Sequence, residues 1–290
     1  MRTLLFVFVL ISFISCEKDI DLNLDKTPNK LVVDASIENG RPPVVILSSS
    51  YNYFSKINKD SLASSFVRKA DVTINNGIRD FKLTEDSVKN TEGFTVYYYT
   101  SKPGPDFLLG EIKKNYSLKV NANGSNYFAT TTIPDFATKI DSTWWEEVVG
   151  LKDSNNIRIL VKQTDRKGLG DYIRYFTKVN NGNFFPGLNS VFADELNDGV
   201  SFSIFYDKGV DKNDERSRTN LNFTKGDTVV LKLCNIDKVN FDFWRTLEFG
   251  FQSNGNPFSS PVKILTNIEG GGFGYFGGYA AQYKTIVIPK

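Results

Sequence analysis

Lys30-Leu-Val-Val-Asp-Ala-Ser-Ile-Glu38, followed by Asn39-Gly40 and then by Val44-Val45-Ile46-Leu47, is the stretch that decides the fold. The first run reads as a strand, rich in β-branched residues. Asn-Gly is the strongest two-residue hairpin signal, because both positions tolerate positive φ, and the apolar run beyond it supplies the partner strand. The same grammar recurs downstream. Residues 70–74 lead to Asn76-Gly77, residues 93–100 to Lys102-Pro103-Gly104, and residues 116–122 to Asn123-Gly124, while residues 127–133 run out to Pro134. Short strands at this spacing, with no helical periodicity between them, predict an N-terminal immunoglobulin-like β-sandwich over residues 30–134.

The chain is all-β by composition as well, since 24 Phe and 13 Tyr beside 22 Gly favour strands joined by tight turns. Its 290 residues exceed one ordinary all-β domain, so two are expected. The boundary is placed between Ile133-Pro134-Asp135 and Ile140. Residues 135–290 then form a second β-rich domain, with strands over 142–149, 157–164, 172–179, 200–206 and 228–234 and a closing strand over 283–288. One segment departs from strand periodicity. Residues 237–252 carry Val239, Phe243, Trp244, Leu247 and Phe251 at spacings of three and four, the pattern of an amphipathic helix. The expected architecture is a β-meander or partly closed barrel with one packed helix.

The N-terminus carries a different message. Arg2 precedes an apolar run from Leu4 to Ile14 broken only by Ser12. That is the charged and apolar pair of regions in a secretion signal, over residues 1–15. A spanning helix needs about 20 apolar residues, so this run is too short to remain as a transmembrane anchor. Phe13-Ile14-Ser15-Cys16 resembles a bacterial lipobox, which makes Cys16 the acceptor of a diacylglycerol thioether and residues 16–29 a lipidated acidic tether. Two or three acyl chains, a palmitate among them, give stable anchoring where one gives only marginal binding. Directly behind the cysteine, Glu17, Lys18, Asp19 and Asp21 resemble the export tag that carries lipoproteins of the Bacteroidota to the outer face of the outer membrane.

What the chain lacks limits its chemistry. It contains no histidine, so Ser-His-Asp and Cys-His catalysis and imidazole metal sites are excluded, leaving carboxylate, lysine or tyrosine routes. Glu146 and Glu147 are neighbours on a strand and point apart, which argues against a paired acid-base site. The acids of residues 207–215 lack the spacing and central glycine of a calcium-binding loop and read as solvated. No cofactor, no metal and no catalytic residue is therefore assigned. A net charge of +2 advertises no basic face, so no nucleic-acid partner is expected. Cys234, the only cysteine besides Cys16, sits in an alternating run and reads as a small buried strand residue. Ser61, Ser87, Ser142 and Thr228 each follow an aspartate and precede an apolar or β-branched residue, the short motif used for O-glycosylation in Bacteroidota.

The segment 270–278 interleaves glycines with Phe273, Tyr275 and Phe276. A phosphate loop would need a Gly-Lys-Ser/Thr ending or a strand-to-helix setting, and neither is present. Two readings stand: the glycines let the backbone turn closely while the rings pack around Trp244, or some of Phe273, Tyr275, Phe276 and Tyr279 lie on the surface and hold a protein partner. Adjacent Trp144 and Trp145 should place one ring inside and one outside.

Residues 254–262 and 266–279, together with Cys16-Glu-Lys, Lys30-Leu-Val-Val and Ile37-Glu-Asn-Gly-Arg-Pro-Pro-Val-Val-Ile-Leu47, resemble the family called domain of unknown function 4249. The resemblance spans nearly the whole mature chain and brings no catalytic residues with it. It implies an outer-membrane lipoprotein commonly encoded beside a TonB-dependent transporter. The expected function is a surface-exposed, non-catalytic accessory of such a transporter, held to the outer membrane by its lipid. The alternative is a stand-alone carbohydrate- or protein-binding adhesion module.

Overall fold

The structure, a computed structural model, describes residues 29–51, 58–90, 93–148, 155–211, 214–253, 260 and 262–290. The signal segment, Cys16 and the acids of the tether lie outside the described residues. The fold is all-β. Its strands are β1 (Leu31–Glu38), β2 (Val44–Ser49), β3 (Asp71–Asn75), β4 (Asp80–Lys82), β5 (Thr84–Lys89), β6 (Thr95–Thr100), β7 (Lys114–Ala122) and β8 (Ser125–Ile133), then β9 (Thr138–Glu147), β10 (Asn156–Asp165), β11 (Tyr172–Val179), β12 (Phe185–Ala193), β13 (Ser201–Tyr206), β14 (Phe223–Thr224), β15 (Thr228–Ile236) and β16 (Phe273–Val287). Helices at Lys59–Ser65 and Glu215–Thr219 are short, and one long helix spans Lys238–Ser253.

Eight strands form a continuous sheet in the order β12-β11-β15-β16-β1-β2-β6-β5. Two smaller sheets pack on one face of it. The sheet β4-β3-β7-β8 closes a core in which Val33, Ala35, Ile37 and Leu47 meet Val72, Ile74, Leu118 and Ile133. The sheet β13-β10-β14, with β9 paired to β10, closes a second core of Ile157, Ile159, Val161 and Tyr206 against Tyr175, Leu231 and Leu233. The long helix covers part of the opposite face, where Phe241 and Phe243 meet Cys234, Tyr275 and Tyr279.

One expectation requires correction. The sandwich over residues 30–134 and the β-rich unit after it are not separate bodies, because β16 belongs to both. Its residues 273–279 pair in parallel with β1, and its residues 280–287 pair antiparallel with β15. On one face of that single strand, Phe276 and Ala280 join the first core and Ile286 the second. The boundary after Ile133 is a passage between layers. In the second half two sheets stack with the long helix packed on the outer face, and the described strands form no closed barrel.

The turns follow residue chemistry. Asn123 and Gly124, at φ of +52° and +77°, close a two-residue hairpin between Ala122 and Ser125. Asn39-Gly40 does turn the chain, with the Arg41 amide donating to the Glu38 carbonyl at 3.1 Å. The antiparallel ladder starts only at Ser36 opposite Val44, however, because Pro42 and Pro43 have no amide to donate to it.

The glycines of β16 are explained by close approach on both faces. A Cβ on Gly277 would stand 2.4 Å from the Asn240 side chain of the long helix, and one on Gly278 would stand 2.3 Å from the Thr132 carbonyl of β8. Two asparagines complete the ladder where β16 lacks a strand neighbour. Asn267 Oδ1 accepts from the Phe276 amide at 2.9 Å, and Asn39 Oδ1 accepts from the Ala281 amide at 2.6 Å. Asp237 fixes the start of the long helix: Oδ1 accepts from the Asn240 amide at 2.9 Å, as a helix cap does, while Oδ2 accepts from the Thr132 amide at 2.9 Å and ties the helix to β8.

Candidate partner-binding groove

Beyond the edge of the long helix the continuous sheet is open, and a groove of about 420 Å³ lies on it. Its floor is built from alternate residues of four neighbouring strands: Ser36 and Glu38 of β1, Tyr275 and Tyr279 of β16, Lys232 of β15, and Arg174 and Phe176 of β11. Trp244 of the helix forms one wall. A second concavity of about 460 Å³ shares Phe185 and Asp211 with it and continues past Thr177 and Lys208.

Charge in the groove is arranged in layers. Deepest is Arg174, 2% exposed, whose guanidinium lies 3.3 Å from the centre of the Trp244 ring. Its Nε donates to Ser190 Oγ at 3.0 Å and an Nη donates to the Tyr279 hydroxyl at 3.2 Å. Glu248 of the helix, equally buried, accepts from the Ser190 amide at 2.9 Å and from its hydroxyl at 2.5 Å, so one serine links a buried cation to a buried anion. Trp244 Nε1 donates to the same Tyr279 hydroxyl at 3.1 Å. Nearer the rim, Glu38 accepts from Lys232 and from the Tyr283 hydroxyl, and Arg41 pairs with it at 3.0 Å. Burial pushes the Tyr275 phenol well above its ordinary range, and the neighbouring Asp34 carboxylate adds to the rise, so Tyr275 stays neutral. Burial likewise pushes the Cys234 thiol up to about 12, which makes it an inert core residue.

The four rings proposed for a partner divide sharply. Tyr275, Phe276 and Tyr279 are buried, and their expected exposure is corrected. Tyr275 lies between Phe243, stacked at 4.7 Å, and Trp244, edge-on at 4.7 Å, while Phe276 points into the opposite core. These rings close the fold around Trp244, and Tyr275 and Tyr279 offer the groove only their edges. Phe273 is 47% exposed, with the Lys30 ammonium 4.8 Å from its ring centre.

Among the glycosylation candidates, Ser87 on β5 and Ser142 on β9 are exposed. Thr228 is half-buried at the start of β15, and Ser61 is engaged in the cap of the first short helix, where its amide donates to Asn58 Oδ1 at 2.8 Å. Glu146 and Glu147 pair with different cations, Arg158 at 3.2 Å and Lys225 at 2.6 Å, and do not converge. Trp145 packs on the second core, and Trp144 is half-buried, its indole donating to Glu146 at 3.2 Å. Cys16, Glu17, Lys18, Asp19 and Asp21 fall outside the described residues.

The groove was hidden in the sequence because it draws on residues as far apart as Ser36 and Tyr279. One local signal was available: Arg174 interrupts Tyr172-Ile-Arg-Tyr-Phe176, and a charge inside an apolar run covered on both faces needs a partner. A family model described as a domain of unknown function matches residues 17–285. The chain belongs to the domain of unknown function 4249 family. The match runs through both sandwiches, as a strand shared between them requires. No curated protein matches this DUF4249 chain. None of its described helices is long and apolar enough to cross a membrane.

Proposed function

We propose that this DUF4249 protein is a lipid-anchored accessory of a TonB-dependent outer-membrane transporter, displayed at the cell surface, and that it binds without catalysing. The groove on the continuous sheet carries the binding half of this reading. It is broad and lined by aromatic edges and ion pairs, and those are features of a recognition surface. Its aromatic and charged groups are held by one another, with Arg174 committed to Ser190, Tyr279 and Trp244, and Glu38 to Lys232 and Tyr283. The membrane half rests on Phe13-Ile14-Ser15-Cys16 and the acids that follow it.

The test is affinity purification from detergent-solubilised outer membranes of the source cell, comparing the native chain, Cys16→Ser and Ser36→Phe. Ser36 is half-buried on the groove floor, so a ring there fills the groove without entering either core. The native chain should bring down a large β-barrel transporter. Cys16→Ser should leave the membrane fraction, and Ser36→Phe should stay in it and lose the transporter. A native chain that is membrane-bound yet purifies without a transporter would overturn the accessory role in favour of the adhesion module.

A further inference from the structure

We propose that Asp165, Asp171 and Asp194 form a binding site for one hard divalent cation of calcium size, at the end of the second sandwich remote in the chain from the lipid anchor. The three residues come from separate places, the end of β10, the start of β11 and the end of β12, and two loops bring them together. Each offers a carboxylate oxygen, and these oxygens lie within 4.8 Å of one another. Calcium takes oxygen ligands at about 2.3–2.6 Å, so oxygens up to about 5 Å apart can share one ion, whereas the tighter shell of magnesium leaves less span. All donors are hard oxygens in a chain without histidine, which favours calcium over zinc or copper.

A second observation points to a missing ligand. Asp165 is 4% exposed; its Oδ1 accepts from the Thr138 hydroxyl at 2.6 Å, yet its Oδ2 is buried with no hydrogen-bond partner. Gln163, fully buried, likewise leaves Nε2 unpartnered, and both residues line one cavity of about 180 Å³ together with Asp171 and Asp194. A cation on the three carboxylates satisfies Oδ2, and a water in its shell accepts from Gln163 Nε2. The other two carboxylates are already oriented. Asp194 accepts from the Gly170 and Asp171 amides at 3.0 and 3.1 Å, and Asp171 holds Arg166 through both oxygens at 2.6 and 2.7 Å. Against three negative charges the cluster holds one bound arginine, which leaves an excess of two that one divalent ion neutralises.

The purified full-length chain, stripped with EDTA, is titrated with calcium chloride by calorimetry and scanned thermally, beside Asp165→Asn. Asparagine keeps an oxygen for Thr138 and replaces the unpartnered oxygen with an amide, so it removes a ligand and relieves the repulsion. The native chain should bind one calcium with Kd on the order of 10⁻⁴–10⁻³ M, the range of extracellular modules. Its Tm should rise by about 2–5 °C at roughly ten times Kd. Asp165→Asn should show no calcium response and, in EDTA, a Tm no lower than the native chain. A native chain with neither heat nor Tm shift at about 10 mM calcium overturns the site. A calcium response retained by Asp165→Asn overturns the assignment of its ligands. The native titration decides alone if that variant does not fold.

Discussion

Truncating Phe276 should unfold both sandwiches together. This ring is fully buried in the first core, and the strand that carries it continues into the second, where Ile286 packs. Loss of a fully buried Phe to Ala costs about 3–5 kcal/mol, the transfer free energy of the ring plus the cavity it leaves. For a chain of this size 1 kcal/mol moves Tm by about 2 °C, so Phe276→Ala should lower Tm by about 6–10 °C. The shape of the transition is more telling than the shift. Without β16, β1 would be paired on one side only, by β2, and β15 on one side only, by β11. Differential scanning calorimetry should therefore give one cooperative transition in the native chain, displaced as a whole in Phe276→Ala. Two transitions, of which only one moves, would refute the shared-strand account and restore two independent domains. A shift below about 2 °C would refute the packing of the ring itself.

The buried Arg174–Ser190–Glu248 link makes a second forecast. Arg174→Met leaves Glu248 buried without its cation and should cost about 3–5 kcal/mol, while Arg174→Met combined with Glu248→Gln should recover much of that loss; additive losses in denaturant titrations would dismiss the coupling. A third concerns acid. The Lys69 amide, at 2.7 Å, and then the Arg68 guanidinium, at 2.9 Å, hold the Glu85 carboxyl below its ordinary 4.5. A carboxyl with a depressed folded-state pKa contributes stability above its unfolded pKa and loses it as pH falls through the folded value. Urea midpoints should thus drop on acidification below about pH 4.5 less steeply in Glu85→Gln than in the native chain, and parallel acid limbs would exclude Glu85 as a contributor.

Much of the fold was legible because strands covered on one face alternate and turns need particular residues. Residues 172–179 were read with their observed bounds, and the helix read over 237–252 is observed at Lys238–Ser253. What escaped was local sequence that tertiary contacts overrule. β5, Thr-Glu-Asp-Ser-Val-Lys, is polar because it lies at the edge of the large sheet with little to bury. β12 contains Pro186, Gly187 and Asn189, which depress strand propensity, and Gly187 is required because a Cβ there would stand 1.8 Å from the Tyr175 hydroxyl. The N-terminal half of β16 was read as a glycine-rich segment for the same reason. The three aspartates at 165, 171 and 194 carry no readable spacing, since their convergence depends on two loops folding toward each other.

The double role of β16 explains both its composition and where a partner can bind. A strand with a helix on one face and a sheet on the other must be apolar on both, so glycine-aromatic alternation suits it where simple polar-apolar alternation would leave polar groups buried. Glycine sits where a neighbour's backbone or the Asn240 side chain comes nearest, and a ring sits where other rings surround it: Gly277 against Asn240, Gly278 against Thr132, and Tyr275 between Phe243 and Trp244. The aromatic richness that suggested a docking surface is thus consumed by packing. What remains for a partner is the sheet beyond the end of the helix, where Tyr275 and Tyr279 present only their edges and Glu38, Lys232 and Phe176 line an open floor. The proposed partner would meet a preset pattern of ion pairs there, so filling the floor at half-buried Ser36 should alter binding while leaving the fold intact, whereas truncating the packed rings or Arg174 should destabilise the fold.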